Sequence, residues 1–188
     1  VYSMDATNTD YYAYQYKPVL SFLETPSKGL LIADEVGLGK TIEAGLIWTE
    51  LRARYDARRL LIVCPSMLRH KWRDELGRRF GIDARIVGSS DLLDLIRDDK
   101  RSVPDGQALI CSLQAIRPPS DRDSEENRGS ARARLAEFLE GQGTETPLFD
   151  LVIIDEAHYL RNPSSQSAEL GRLLRDTTEG IVLLSATP

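Results

Sequence analysis

The sequence predicts an α/β fold, a mostly parallel sheet flanked by helices on both faces. Six short apolar runs carry that expectation: 29–33, 60–64, 84–87, 108–111, 151–154 and 181–184. Most are continuous in Val, Ile and Leu instead of alternating with polar residues, as in strands covered on both sides. Between them lie segments with apolar residues at one-turn spacing. Strand and helix in alternation is the signature of parallel strands joined by helical crossovers. The 188 residues suit one domain.

Taken in order, the first run (29–33) feeds a glycine-rich loop. Ile42, Leu46, Ile47 and Leu51 then predict a helix of about three turns. After the run at 60–64, Ser66 is expected to cap a helix that continues through Phe80. Ser90 or Asp91 starts another, with Leu92, Leu93, Leu95 and Ile96 as its buried face. A last helix is expected over 165–175. One stretch breaks the rhythm: "RPPSDRDSEENRGSARAR", 117–134, is dense in charge, Pro, Ser and Gly and predicts a mobile surface insertion. No internal repeat or linker divides the chain, so 1–188 reads as one domain.

Composition narrows the class. Hydrophobic residues make up 41% and charged residues 28%, proportions of a globular chain and not of a disordered one. No apolar run approaches the ~18 residues of a membrane span, and 1–10 lacks the basic and apolar regions of a secretory signal. A membrane is therefore not an expected partner. Cys64 and Cys111 lie inside apolar runs, with no further Cys or His at metal-ligand spacing. They read as buried thiols in a reducing, cytoplasmic setting. A net charge of −5 gives no support to nucleic-acid binding and leaves open a local basic patch.

The chemistry starts at "LLIADEVGLGKT", 30–41. A strand, a glycine-rich turn ending in Gly-Lys-Thr and a helix form the context of a phosphate-binding loop. Gly37, Leu38 and Gly39 would turn backbone N–H groups toward phosphate oxygens. Lys40 would reach the outer phosphates, and the Thr41 hydroxyl would hold Mg²⁺. The usual pattern begins with glycine, whereas this loop begins with Asp34 and Glu35. Asp tolerates unusual backbone angles, so the turn remains possible. A second motif, "LVIIDEAH" (151–158), places Asp155 and Glu156 where an apolar strand ends. Ligands of open α/β sheets sit at that edge. Asp155 is expected to hold Mg²⁺ through water, and Glu156 to orient and deprotonate an attacking water.

With these motifs in order along nearly the whole chain, the sequence resembles the first RecA-like lobe of superfamily 2 helicases. Within that group it resembles the Swi/Snf-type double-stranded DNA translocases. "DEVGLGKT" is similar to motif I of that family, "LLIVCPSMLRHKW" (60–72) to motif Ia, "DEAHYLRN" (155–162) to motif II and "LLSATP" (183–188) to motif III. An opening Asp-Glu in motif I is usual there, and "DEVGLGKTIEAG" resembles the branch of the bacterial RNA-polymerase-recycling ATPase. Ala186, where remodelers usually carry Gly, points the same way or to a general helicase. The resemblance implies a RecA-like P-loop fold, ATP with Mg²⁺, and Lys40, Asp155 and Glu156 as catalytic residues. It implies Gln15 as the reader of adenine. Pro65, Ser66 and Ser112 ("LICSLQAI", 109–116) would meet the phosphates of one DNA strand. His158, Ser185 and Thr187 would couple nucleotide state to lobe movement. The implied partners are double-stranded DNA, a second RecA-like lobe bearing arginine fingers, and RNA polymerase or other nucleic-acid machinery. The chain opens on Val1 and ends on motif III at Pro188, so that second lobe is expected outside it.

Three points stay open at this level. Arg69, His70, Lys71, Arg73, Arg78 and Arg79 form a basic cluster that is either a DNA contact or a solvated face. One of Tyr11, Tyr12, Tyr14 and Tyr16 could stack on adenine, though packing is the simpler role, and Trp72 reads as a packing residue. The rival functions are an RNA helicase or restriction-enzyme motor and a non-catalytic nucleotide-sensing or docking module.

Overall fold

The computed structural model describes residues 13–33, 39–97, 107–122, 124–142 and 147–186. Its core is a six-stranded sheet of β1 (Gly29–Ala33), β2 (Leu60–Cys64), β3 (Ala84–Ile86), β4 (Ala108–Ser112), β5 (Phe149–Ile154) and β6 (Thr178–Ser185). The spatial order is β1-β6-β5-β2-β4-β3, and every pairing is parallel. All six carboxyl ends therefore point to one edge.

Helices cover both faces, as the continuous apolar strands require. On one face, α1 (Lys17–Glu24), α2 (Lys40–Tyr55) and α3 (Arg69–Phe80) pack Phe22, Leu46, Trp48 and Trp72 onto Leu60, Ile62, Leu151 and Ile153. On the other, α4 (Ser89–Arg97), α5 (Leu113–Ile116), α6 (Ala131–Glu140) and α7 (Gln166–Asp176) bury Leu93, Ile116, Leu135 and Leu170 against Leu61, Val63, Val152 and Ile154. Neighbouring strand residues point to opposite faces, so β2, β4, β5 and β6 each feed both cores, while the edge strands β1 and β3 feed the first. Cys64 belongs to the first core and Cys111 to the second, both as free buried thiols.

The strands match the apolar runs, and the boundaries of other elements differ for local reasons. α2 has 16 residues, longer than the expected three turns. Its last turn is polar and is held by the Glu50–Arg54 pair at 2.7 Å before Asp56 ends it in a left-handed conformation. Ser66 makes no cap. A 3₁₀ turn, Ser66–Leu68, intervenes before α3, closed by the Leu68 amide donating to the Pro65 carbonyl at 2.9 Å. α4 starts at Ser89, and its Leu95 and Ile96 are only half-buried, unlike Leu92 and Leu93.

The stretch 117–134 is better organised than its composition suggests. Its final residues begin α6, capped by Ser130, whose hydroxyl accepts from the Ala133 amide at 3.2 Å. Pro118 and Pro119 are buried, and Arg122 pairs with Glu140 at 2.8 Å and with Glu169 of α7. Charges read as solvent-loving in the sequence here pair across elements.

Candidate functional site

The functional geometry lies along the carboxyl edge. Parallel pairing sets Ser185 opposite Ala33, Ile154 opposite Leu183, Val63 opposite Ile154 and Ser112 opposite Cys64. The strands that lead into motifs I, III, II, Ia and the Ser112 segment thus follow one another across the sheet. This is the edge at which open α/β sheets bind ligands.

At one end stands the start of α2. Residues 34–38, including Asp34, Glu35, Gly37 and Leu38, lie outside the described residues, as does Thr187. Gly39 is described, with φ +96°, a region that disfavours any side chain. A Cβ there would also lie 2.7 Å from the Gln15 side-chain nitrogen. Gln15 is therefore pressed against Gly39, 4% exposed, and joins the N-terminal segment to the start of α2. Lys40 and Thr41 form the first turn of α2, both half-buried. Gly39 at the N-cap has no side chain to cap this helix, and the positive end of the α2 dipole at this point suits an anion.

Asp155 and Glu156 follow β5. The Asp155 amide donates to the Val63 carbonyl at 2.8 Å, which ties the strand end to β2. One Asp155 oxygen, Oδ1, accepts from the Glu156 amide at 2.9 Å, and Oδ2 accepts from the Trp72 indole Nε1 at 2.9 Å. Glu156 sits at φ 53°, ψ 47°, left-handed and unusual for a residue with a side chain. That geometry costs about 1 kcal/mol or more. It ends the strand abruptly and starts the 3₁₀ turn Ala157–Leu160. His158 Nδ1 lies 3.1 Å from Glu156 Oε2, and its ring stands 4.3 Å from that of Tyr159. Glu156 and His158 are partly exposed, placed to meet a ligand and each other.

The donor set suits Mg²⁺. Among the described residues no group of three or more His, Cys, Asp or Glu gathers to hold a metal. One carboxylate and one hydroxyl, completed by water and by substrate phosphates, is the arrangement Mg²⁺ accepts. Both Asp155 oxygens already accept one hydrogen bond and keep a further lone pair, which favours contact through water.

The residues expected to meet DNA divide. Pro65 is half-buried, while Ser66 is exposed and Met67 is 83% exposed. Ser112 is 4% exposed, and its hydroxyl caps α5 by accepting from the Ala115 amide at 3.1 Å, which leaves little surface for a phosphate. The basic cluster divides as well. Arg73 pairs with Asp74 at 3.2 Å, and Arg78 (2.9 Å) and Arg79 both pair with Glu75. Burial raises the Glu75 carboxyl, but bonds from Arg79 and Arg78 outweigh it and hold it below its ordinary value. In that half of α3 the arginines are paired within the helix, whereas His70 and Lys71 remain exposed beside Ser66.

Tyr16 packs in the core, Tyr14 is 44% exposed, and Tyr11 and Tyr12 lie outside the described residues. Ser185 is buried at the end of β6. Burial, then the Asp155 charge, pushes the Cys64 thiol up to about 12, and burial raises Cys111 as well. Neither is a nucleophile at neutral pH. The residue that sequence reasoning missed is Trp72. Leu68, Trp72, Leu76 and Phe80 recur at four-residue spacing, a signal of packing that contains nothing about Asp155.

Known proteins share this organisation. Residues 14–188 match the SNF2-related domain. RNA polymerase-associated protein RapA of Vibrio parahaemolyticus is 35% identical over 162 residues, 85% of this chain and 15% of that protein. RapA of Vibrio campbellii is 34% identical over the same shares. The chain thus spans about 15% of the length of these curated relatives. The Sulfolobus solfataricus SWI2/SNF2 ATPase core, solved in complex with dsDNA, superposes with a TM-score of 0.64 at 17% identity, covering 97% of this chain and 33% of that one. With its all-parallel sheet and helices on both faces, the chain belongs to the SNF2-related domain family and has the fold of a first RecA-like lobe, with RapA proteins among its relatives.

Proposed function

We propose that this chain is the ATP-binding lobe of a DNA-dependent ATPase that translocates on duplex DNA, with hydrolysis completed by a second RecA-like lobe. One observation carries the reading: parallel pairing brings the strands ending in motifs I, II and III side by side at one edge. There Lys40 offers its ammonium to the outer phosphates and α2 offers its first N–H groups. Gln15 would read the base, a role its closeness to Gly39 supports. Thr41 and Asp155 would hold Mg²⁺, which when bound offsets phosphate charge. Glu156 takes the proton of the attacking water, and His158 holds that carboxylate in place.

Ser66 and the exposed start of α3 are the surface offered to a phosphate backbone. The dsDNA bound by the Sulfolobus structure and the polymerase association in the RapA name support this choice of partners. An arginine finger supplied by a second lobe is worth about 10³–10⁵ in rate, so the 188-residue chain by itself should bind nucleotide and turn over slowly. A cytoplasmic location fits these partners, and no helix among the described residues is long and apolar enough to cross a membrane.

The test is DNA-stimulated ATP hydrolysis by the whole protein that carries this domain, with and without Glu156→Gln. The variant should keep Mg²⁺·ATP affinity and lose about 10²–10⁴ in turnover. Duplex DNA should stimulate the parent protein more than RNA does. A cellular function that survives Glu156→Gln despite lost turnover would favour the docking-module reading, and stimulation by RNA alone would favour an RNA helicase.

A further inference from the structure

We infer that Trp72 is the positioning residue for Asp155 and sets how strongly Mg²⁺ tightens nucleotide binding. The inference rests on the nucleotide reading given above. Trp72 belongs to α3, the helix that follows motif Ia, and its ring is 2% exposed. Its Nε1–H crosses from helix to sheet and meets Asp155 Oδ2 at 2.9 Å. The Glu156 amide holds the other oxygen, also at 2.9 Å, so the two bonds together fix the plane of the carboxylate.

Burial alone does not explain the Trp72 contact. Trp48 is buried just as completely, and its Nε1 has no hydrogen-bond partner among the described residues. A tryptophan in this core can therefore pack without an acceptor, so the Trp72 bond is a specific placement. The donor is also neutral. An arginine in its place would orient the carboxylate but cancel the charge a metal needs. An indole orients it and leaves the charge intact. Partners of metal-holding carboxylates act in this way, and their loss typically costs about 10–100-fold in metal affinity.

Nucleotide affinity of the 188-residue chain, measured by calorimetry with ATP in excess Mg²⁺ and with ATP in EDTA, tests this. Trp72→Phe keeps an aromatic ring and removes the N–H. It should bind metal-free ATP as the parent does and lose about 10-fold of the gain that Mg²⁺ confers. A variant that keeps the full Mg²⁺ gain overturns the inference and leaves the nucleotide reading standing. Equal losses with and without Mg²⁺ also overturn it, because they mark Trp72 as packing only. If the parent chain binds ATP under neither condition, the nucleotide reading fails and this inference falls with it.

Should Trp72→Phe not fold, the parent chain supplies the second readout. It contains two tryptophans, hence two indole N–H resonances, and Asp155→Asn identifies the one that belongs to Trp72. Titrating Mg²⁺ into the ATP-bound chain should shift the Trp72 resonance and leave that of Trp48 in place. A Trp72 resonance that does not move overturns the inference.

Discussion

Asp150 and Asp155 occupy opposite ends of the same strand, β5, and their surroundings differ in kind. Asp150, at the amino edge, accepts from the Arg58 and Arg59 amides, each at 2.7 Å, and from Arg59 Nη2, also at 2.7 Å. Arg59 reaches on to the Pro147 carbonyl at 2.8 Å. Burial raises the Asp150 carboxyl, but the Arg59 and backbone bonds outweigh it and hold it below the ordinary carboxylate range. Asp155, at the carboxyl edge, accepts from the Trp72 indole and the Glu156 amide, both neutral donors. The amino edge spends its carboxylate on closing the fold. The carboxyl edge keeps a carboxylate oriented by neutral donors, an arrangement that suits a metal. A cavity of about 420 Å³ does open at the amino edge, lined by Phe22, Lys28, Tyr55, Asp150 and Glu179. It carries none of the motif residues, and Asp150 is already committed there to Arg59.

Exchanging the sites of mutation tests this contrast. The largest effect belongs to the carboxyl edge. In the whole protein Glu156→Gln should cut ATP turnover by about 10²–10⁴ without lowering the melting temperature. Relief of left-handed strain is not expected from it, since both residues carry a Cβ.

Next comes the amino edge. Asp150→Ala removes the acceptor of four hydrogen bonds and should cost about 2–3 kcal/mol in denaturant unfolding, with nucleotide affinity of the folded chain unchanged. Loss of ATP binding in Asp150→Ala at temperatures where it is folded would break the contrast. Its pH dependence follows from the lowered carboxyl. Asp150 contributes its stability above the unfolded value of ~3.9, and loses it as pH falls through the still lower folded value. The stability gap between the parent and Asp150→Asn should therefore narrow as pH falls below about 4. Unfolding curves collected down that range check it.

The smallest effects separate Ser112 from Ser66 within the carboxyl edge. Ser112→Ala removes a cap and should cost about 1 kcal/mol. Ser66→Ala, at an exposed position with no cap bond, should change stability by less than about 0.5 kcal/mol and weaken duplex DNA binding. The reverse pattern would place the DNA contact on Ser112 instead.

The sheet was legible in the sequence because continuous apolar runs admit few other readings. The strand ends were legible too, since chemistry-bearing residues close or directly follow them: Ser112 and Ser185 close β4 and β6, and Asp155 follows β5. Local turns were not. Whether Ser66 caps a helix or opens a 3₁₀ turn depends on backbone angles that the serine itself does not dictate. α6 went unread because its Arg and Ala residues continue the polar composition of the stretch before it. Only pairing across elements, Arg122 with Glu140 and Glu169, shows why that stretch folds back on the core. Trp72 marks the deeper limit. Its spacing announces burial, but the acceptor waiting at the buried position comes from a strand 83 residues away.

The central claim is that nucleotide binds the carboxyl edge through the first turn of α2. Titration of Mg²⁺·ATP into the 188-residue chain and into Lys40→Ala tests it most directly. The account predicts saturable binding by the parent and a loss of at least about 10-fold in the variant, the effect of removing one strong charge-assisted contact worth ~1.5–3 kcal/mol. A Lys40→Ala chain that binds ATP as tightly as the parent would contradict it.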